Sequence, residues 1–383
     1  MKTRIIFFFL TLTCWSNAQE LRIGLLRSIE VKKIALSANQ GVYSVYGDSI
    51  NLGILGAIEL ELHSGMVRIK TNDTYQDFYC VHIVQDTLNS SFKIKSLLPT
   101  SRQHYYPDNL EVKSVDGRLN VVNLVNMDNY LSGVVESEGG GGRHLEYYKV
   151  QALMSRTYAL KNEDRHHDEG FQLCDGVHCQ AYHNMLRYTD AIKTAVQLTQ
   201  NKVLVGPRDQ LVTTYFSANC GGQVCDAGYV WNTSVPYVES FIDTFCIHTR
   251  QATWRTTINK RKWADFLNQE YGVSEKKYGN YIYNFDQIER KAFFIHPSLG
   301  IPLRDLRQKF HLKSTFFSSY LNGDQVVLEG RGFGHGVGLC QEGAMRMAEL
   351  GYGYSQIARF YFHNVQVIDF QHGRSLVPKA FGR

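Results

Sequence analysis

The most restrictive feature of the sequence is Asp116-Gly117, set between two runs (110–115 and 118–124) in which apolar residues alternate with polar ones. Both central positions of a tight two-residue turn need positive φ, which Asp and Gly accept, so the spacing predicts a β-hairpin. Upstream, Val67-Arg68-Ile69-Lys70 and Ser91-Phe92-Lys93-Ile94 repeat the alternation, and residues 20–125 read as β-rich. The period then changes. Leu145, Tyr148, Ala152, Ser155 and Ala159 step by three or four residues and predict a helix over 144–160. Further helices are expected over 190–198, with Thr189 as N-cap, over 261–271, and over 341–350, closed by Gly351. A second hairpin is expected from 203–205 to 211–217 around Gly206-Pro207. Strands first and helices later place the chain in the α+β class, with mixed β-sheets and a few packed helices.

The N-terminus begins with Lys2 and Arg4, continues through an apolar run from Ile5 to Leu12, and reaches Ser16-Asn17-Ala18 before Gln19. That is the pattern of a cleavable secretory signal over residues 1–18. The run is too short for a membrane span, which takes roughly 20 apolar residues, and no transmembrane anchor is expected. Lys and Arg number 41 against 36 Asp and Glu, an excess too small to argue for a nucleic-acid partner. An exported chain can form disulfides. Without Cys14, the remaining cysteines are Cys80, Cys174, Cys179, Cys220, Cys225, Cys246 and Cys340, an odd number.

Four segments carry chemistry. In the first, Tyr130 to Glu138 leads through four glycines into the helix that holds Arg156. A carboxyl at the end of an apolar stretch is partly desolvated, which raises its pKa and suits it to donate a proton. A surface carboxylate and a structural Arg156 ion pair fit the same residue types. The second segment, His166-His167-Asp168 followed by Cys174, His178 and Cys179, has the donors of a tetrahedral zinc site. A Cys174–Cys179 disulfide fits it equally. The third, Thr214 to Gly222 with Trp231 downstream, offers Tyr215 as a sugar-cleft residue or as a structural tyrosine. The fourth, Gly330 to Ala344, has glycines at alternate positions around His335 and lacks the Lys-Ser/Thr ending of a phosphate loop.

In this order, Tyr130 to Glu138, Lys149 to Ala159, Cys179-Gln180-Ala181-Tyr182, Tyr215 to Gly222 and Gly330 to Ala344 resemble the motifs of the SpoIID/LytB family of bacterial cell-wall proteins. The resemblance implies that family's extended architecture, with an N-terminal β-rich subdomain over 19–108 and a catalytic-type domain over 109–383. It implies a lytic transglycosylase acting on peptidoglycan glycan strands, in which Glu138 is the acid/base. Glu138 would protonate the glycosidic oxygen and then take the proton of the muramoyl 6-hydroxyl, closing a 1,6-anhydro ring. The sugar supplies the nucleophile, so neither a second carboxylate nor a cofactor is required for the chemistry. By motif match, Arg156, Tyr215, His335 and Gln341 are expected in the cleft. Some members carry zinc, which implies a structural ion on Cys174, His178 and Cys179, with His167 as fourth ligand and His166 as its substitute. Other members enhance a cell-wall amidase, so the alternative is a non-catalytic peptidoglycan-binding partner of an N-acetylmuramoyl-L-alanine amidase. Two departures stand out: Gly139 to Gly142 replace the family's usual Met-Pro, and Cys220 and Cys340 stand where it has small residues. Adjoining Gly-rich turns would permit a Cys220–Cys340 disulfide, with Cys220–Cys225 as the local competitor.

Overall fold

The computed structural model describes residues 19–71 and 74–370. The signal expected at 1–18 therefore lies outside the described residues. The chain forms two compact units that divide after Tyr130.

The first unit contains β1 (Glu20–Leu25), β2 (Lys33–Gln40), β3 (Tyr43–Gly47), β4 (Ile50–Ile54), β5 (Ile58–His63), β6 (Met66–Thr71), β7 (Thr74–Phe78), β8 (Cys80–Gln85), β9 (Ser91–Leu98), β10 (His104–Pro107), β11 (Asn109–Val115) and β12 (Arg118–Asn126). One sheet runs β1-β12-β11-β8-β3-β4 and the other β10-β9-β2-β5-β6-β7. Period-two patterning dictates which face is buried. In β9, Phe92, Ile94 and Ser96 point inward while Lys93 and Lys95 reach solvent. The sheets pack face to face, β11 against β6 and β12 against β5. Tyr43 of one sheet meets Phe92 of the other edge-on, with ring centroids 6.2 Å apart. The predicted hairpin forms, with φ of 47° at Asp116 and 70° at Gly117. It also moves the expected boundary. Because β11 pairs with β8 and β12 with β1, residues 109–126 are central strands of the first unit and not the start of the second domain.

A helix not anticipated from the sequence, α1 (Met127–Gly139), follows β12 directly. Asn126 caps its start, accepting from the Asp128 N–H at 2.8 Å. Asp108 accepts from the Asn126 N–H and the Asn129 amide, each at 2.9 Å. Next come α2 (Leu145–Lys161), β13 (Leu173–Cys174), α3 (Asp190–Leu198), β14 (Lys202–Val205), β15 (Phe216–Ser217), α4 (Gly228–Trp231), β16 (Thr253–Asn259), α5 (Lys260–Tyr271), α6 (Glu275–Tyr278), α7 (Leu303–Lys309), β17 (Phe317–Asn322), β18 (Gln325–Arg331), β19 (Leu339–Cys340), α8 (Gln341–Glu349), α9 (Tyr354–Tyr361) and β20 (Gln366–Asp369). The predicted helices match α2, α3, α5 and α8. In the second unit α2 is central, packed by α3, β14, α8 and α9. A three-stranded sheet, β16-β18-β17, shares a separate core with Trp263, Phe266, Leu267 and Leu306.

The expected hairpin over 203–217 forms only next to its turn: Val205 and Leu211 make an antiparallel bridge and the Val212 N–H donates to the Leu204 carbonyl at 3.2 Å, beyond which the chain is diverted. The strand that β14 pairs with over its length is β20. The Thr213 N–H donates to the Tyr237 hydroxyl, so this backbone group is satisfied outside a hairpin ladder, and the Thr214 hydroxyl ties the diverted segment to the Met154 carbonyl of α2. Phe216 and Ser217 pair in parallel with Leu339 and Cys340. The two Gly-rich segments do adjoin, through Asn219–Phe333 and Cys225–Val337 bridges.

Candidate functional site

Glu138 sits in the last turn of α1, half-buried. Three successive side chains of that turn accept backbone N–H groups from the loop over 181–188. Glu136 takes Arg187 at 2.9 Å and Tyr188 at 3.0 Å. The Ser137 hydroxyl takes His183 at 3.3 Å, and Glu138 Oε1 takes Ala181 at 2.8 Å. Burial pushes the Glu138 carboxyl above the ordinary range, and the Ala181 bond pulls it partly back. A helix C-terminus is electronegative and acts in the same direction as burial. Among the described residues Oε2 has no hydrogen-bond partner, so this oxygen is the one free to carry a proton outward.

The other side of Glu138 is closed by Gln341, expected from its motif, together with Gln151 and Tyr147, to which the sequence reading gave no role. The Gln341 amide lies 3.4 Å from the Glu138 carbonyl and 3.5 Å from Gln151 Oε1, which also takes the Tyr147 hydroxyl at 3.5 Å. The glycine segment is tied down here. The Tyr148 hydroxyl donates to the Gly140 carbonyl at 3.1 Å and accepts from the Arg143 N–H at 2.9 Å. Gly139 packs on Tyr147, whose ring would stand 3.0 Å from a Cβ there.

Gly133 shows how closely the loop rests on α1. A Cβ at this position would come within 2.5 Å of the Asn184 carbonyl and 2.6 Å of the Tyr182 ring. Helix propensity alone favours alanine over glycine by about 1 kcal/mol. The clash is with backbone and outweighs it, so Gly133→Ala is expected to destabilise the chain by about 1–3 kcal/mol in urea unfolding.

The loop that bonds Glu138 is itself anchored by the Cys/His segment. Ligand atoms of His166, Cys174, His178 and Cys179 all lie within 4.8 Å of one another. Cys179 Sγ is 3.5 Å from His166 Nε2 and 3.9 Å from His178 Nδ1, which is also 3.9 Å from Cys174 Sγ. Glu169 holds the other His166 nitrogen at 2.5 Å and so sets which ring nitrogen faces the thiols. This corrects the fourth position: His167 is largely exposed and faces Asp168, whereas His166 is packed against Phe171 and turned inward. Two sulfurs and two imidazole nitrogens make a closed donor set of the zinc type. Cys174 is pushed down to about 4, first by the hydrogen bond from Cys179, so a thiolate is favoured there. A single residue, Gln180, separates Cys179 from Ala181, the donor to Glu138.

Of the expected cleft residues, Tyr215 and His335 come together around Trp231. Tyr215 stacks on Trp231 with centroids 4.5 Å apart, and His335 meets Trp231 at 5.1 Å. His335 Nδ1 accepts the Val337 N–H at 3.0 Å. Burial, reinforced by the Arg307 and Arg290 charges, pushes the imidazole down to about 4, so it is neutral near pH 7. Tyr215 immediately precedes β15 and Gln341 immediately follows β19, so this one parallel pair carries residues of both groups. Arg156 is elsewhere. Its guanidinium is buried and donates to the Thr199 carbonyl at 2.6 Å and the Val196 carbonyl at 3.3 Å, capping α3 inside the core instead of lining a cleft.

The fold and site define a two-unit α+β protein with a half-buried acid at a helix end, tied to a thiol–imidazole cluster. Residues 115–205 match the family model described as Stage II sporulation protein, SpoIID. Stage II sporulation protein D of Bacillus subtilis is 27% identical over 264 residues, covering 64% of this chain and 75% of that protein. An uncharacterized protein of Brachyspira hyodysenteriae is 28% identical over 271 residues, 68% of this chain and 72% of its own length. The protein of B. subtilis called Amidase enhancer is 24% identical over 291 residues, 61% of this chain and 39% of that longer protein. In these matched stretches the chain is similar to the SpoIID/LytB family.

Proposed function

We propose that this chain acts on the cell wall outside the cytoplasm, as a lytic transglycosylase that cleaves the MurNAc–GlcNAc bond of peptidoglycan glycan strands. The carrying observation is Glu138: burial favours its protonated form, and a single backbone N–H on Oε1 leaves Oε2 free. In this reading Oε2–H gives its proton to the glycosidic oxygen as the bond to muramic C1 breaks. The Ala181 N–H stabilises the carboxylate left behind. That carboxylate then removes the proton of the muramoyl 6-hydroxyl as its oxygen bonds to C1, which returns Glu138 to its starting state. The Tyr215–Trp231 stack offers apolar ring faces of the kind that hold sugars, and neutral His335 beside it adds polar contact.

His166, Cys174, His178 and Cys179 would hold zinc. Four protein donors leave no open position, so the ion would contribute folding energy and fix the 179–181 turn. The signal-type N-terminus supports export, and among the described residues no helix is long and apolar enough to cross a membrane.

The alternative is a glycan-binding partner that activates a wall amidase, and the similarity to Amidase enhancer favours it. Mass spectrometry of fragments from purified peptidoglycan, intact and amidase-treated, separates the two. Anhydromuramoyl ends are the expected product. Reducing muramoyl ends would overturn the intramolecular step, and no fragments from folded protein would favour the amidase partner.

A further inference from the structure

A second group of sulfurs lies apart from the His166 cluster. Cys220, Cys246, Cys340 and Asp243 come from three segments of the second unit, and each is fully buried. Their ligand atoms all lie within 4.8 Å of one another. Cys220 Sγ is 3.4 Å from Cys246 Sγ and 3.2 Å from Asp243 Oδ2. Backbone N–H groups aim at two of the sulfurs. Cys340 accepts from Cys220 at 3.3 Å and Gly343 at 3.4 Å, and Cys246 accepts from Gly222 at 3.3 Å. Cys340 is also the N-cap of α8. Asp243 is held from outside, with Oδ1 accepting from the Phe245 N–H at 2.9 Å and Oδ2 from the Tyr361 hydroxyl at 3.0 Å.

A wholly buried carboxylate among three sulfurs is unfavourable unless it takes up a proton or a cation neutralises it, and the convergence of three sulfurs on the same point favours a cation. With zinc–sulfur bonds of about 2.3 Å, the edges of a zinc tetrahedron are about 3.7 Å, close to the separations here. The third thiol-bearing group, Cys80, His82 and Glu111, does not share this arrangement: Arg22 at 2.6 Å and Lys113 at 3.0 Å already neutralise Glu111.

We propose that Cys220, Cys246, Cys340 and Asp243 bind a second tetrahedral divalent ion, zinc by its donor set, which joins the 219–222 turn, the 243–246 loop and the start of α8. Gln341, which reaches the Glu138 carbonyl, is the next residue after Cys340. The proposal does not depend on the glycan-cleaving reading. The competing state is a Cys220–Cys246 disulfide, which would leave Cys340 a lone thiol.

Elemental analysis of the purified mature chain tests it. Two zinc ions per chain are expected, with one remaining in Cys174→Ser/Cys179→Ser and one in Cys220→Ser/Cys340→Ser. Should the latter variant not fold, Asp243→Asn keeps the size of the side chain and is expected to bind its second zinc at least tenfold more weakly against a competing chelator. Cobalt loaded into Cys174→Ser/Cys179→Ser is expected to give the intense sulfur-to-metal absorption of a tetrahedral thiolate site. The proposal is overturned by a single zinc that Cys174→Ser/Cys179→Ser removes entirely. It is equally overturned if Cys220 and Cys246 in the denatured, unreduced wild type resist alkylation until reductant is added.

Discussion

Glu138→Gln is expected to lower the release of anhydromuramoyl fragments by about 10²- to 10⁴-fold, the range of a positioned acid/base, without loss of folded structure. Glutamine keeps the shape and can still accept the Ala181 N–H, so a loss of product with unchanged thermal unfolding isolates the proton. The pH dependence gives an independent check. Burial raises the folded-state pKa of Glu138 above its ordinary 4.5. Between those two values the folded chain keeps a proton that the unfolded chain has released. The stabilisation from that proton is complete below about 4.5 and is lost as pH rises through the folded value. Wild type should therefore lose both stability and proton-donating activity along that limb. The glutamine variant should lack this contribution to the stability slope. A variant with wild-type product yield would sink the assignment.

Removing the zinc proposed for the His166, Cys174, His178 and Cys179 cluster, followed as the chelator response that Cys174→Ser/Cys179→Ser abolishes, is expected to have the second large effect. An ion present at a thousandfold excess over its Kd stabilises the folded chain by about 4 kcal/mol, and a chelator removes that amount. Because Cys179, Gln180 and Ala181 are consecutive, the released turn should also withdraw its N–H from Glu138 Oε1, so activity should fall together with stability. Glu169→Gln offers a milder test, since weakening the hold on the far His166 nitrogen should reduce metal affinity by about 10- to 100-fold. His167→Ala should leave metal binding unchanged, and loss of the ion from that variant would contradict the placement of His166.

Regular patterns made much of this architecture legible in the sequence. Alternation marked the first unit's strands, and the 116–117 turn could be read because its two positive φ values demand particular residues. α2 was visible by its stripe, even though the folded unit buries nearly all of it. α1 was missed because Ser132, Gly133, Val134 and Val135 are indifferent helix formers. The signal was present nonetheless: Asn126 is a good cap, and Met127, Tyr130, Leu131, Val134 and Val135 bury at helical spacing. Site residues carried by short local spacings were easier to read than those brought in from afar. Ala181 contributes only its backbone, and Gln151, although inside the Lys149 to Ala159 motif, is an uncharged helix residue whose contact with Gln341 comes from a distant segment. The choice between His166 and His167 turns on one residue of helical phase, which composition does not encode. Asp243 and Cys246 meet Cys220 and Cys340 only through tertiary contact, so four buried donors appeared as scattered cysteines and one ordinary acid.

The parallel pairing of Phe216-Ser217 with Leu339-Cys340 has a consequence for the order of assembly. Strands so distant along the chain close a long loop, and such contacts form late in folding. Helix α1 and the 181–188 loop can meet early, but Gln341 cannot reach Glu138 until almost all of the polypeptide has been made. A chain that ends before residue 339 therefore holds its glutamate without Gln341 behind it, with Gln151 left unpaired to that amide.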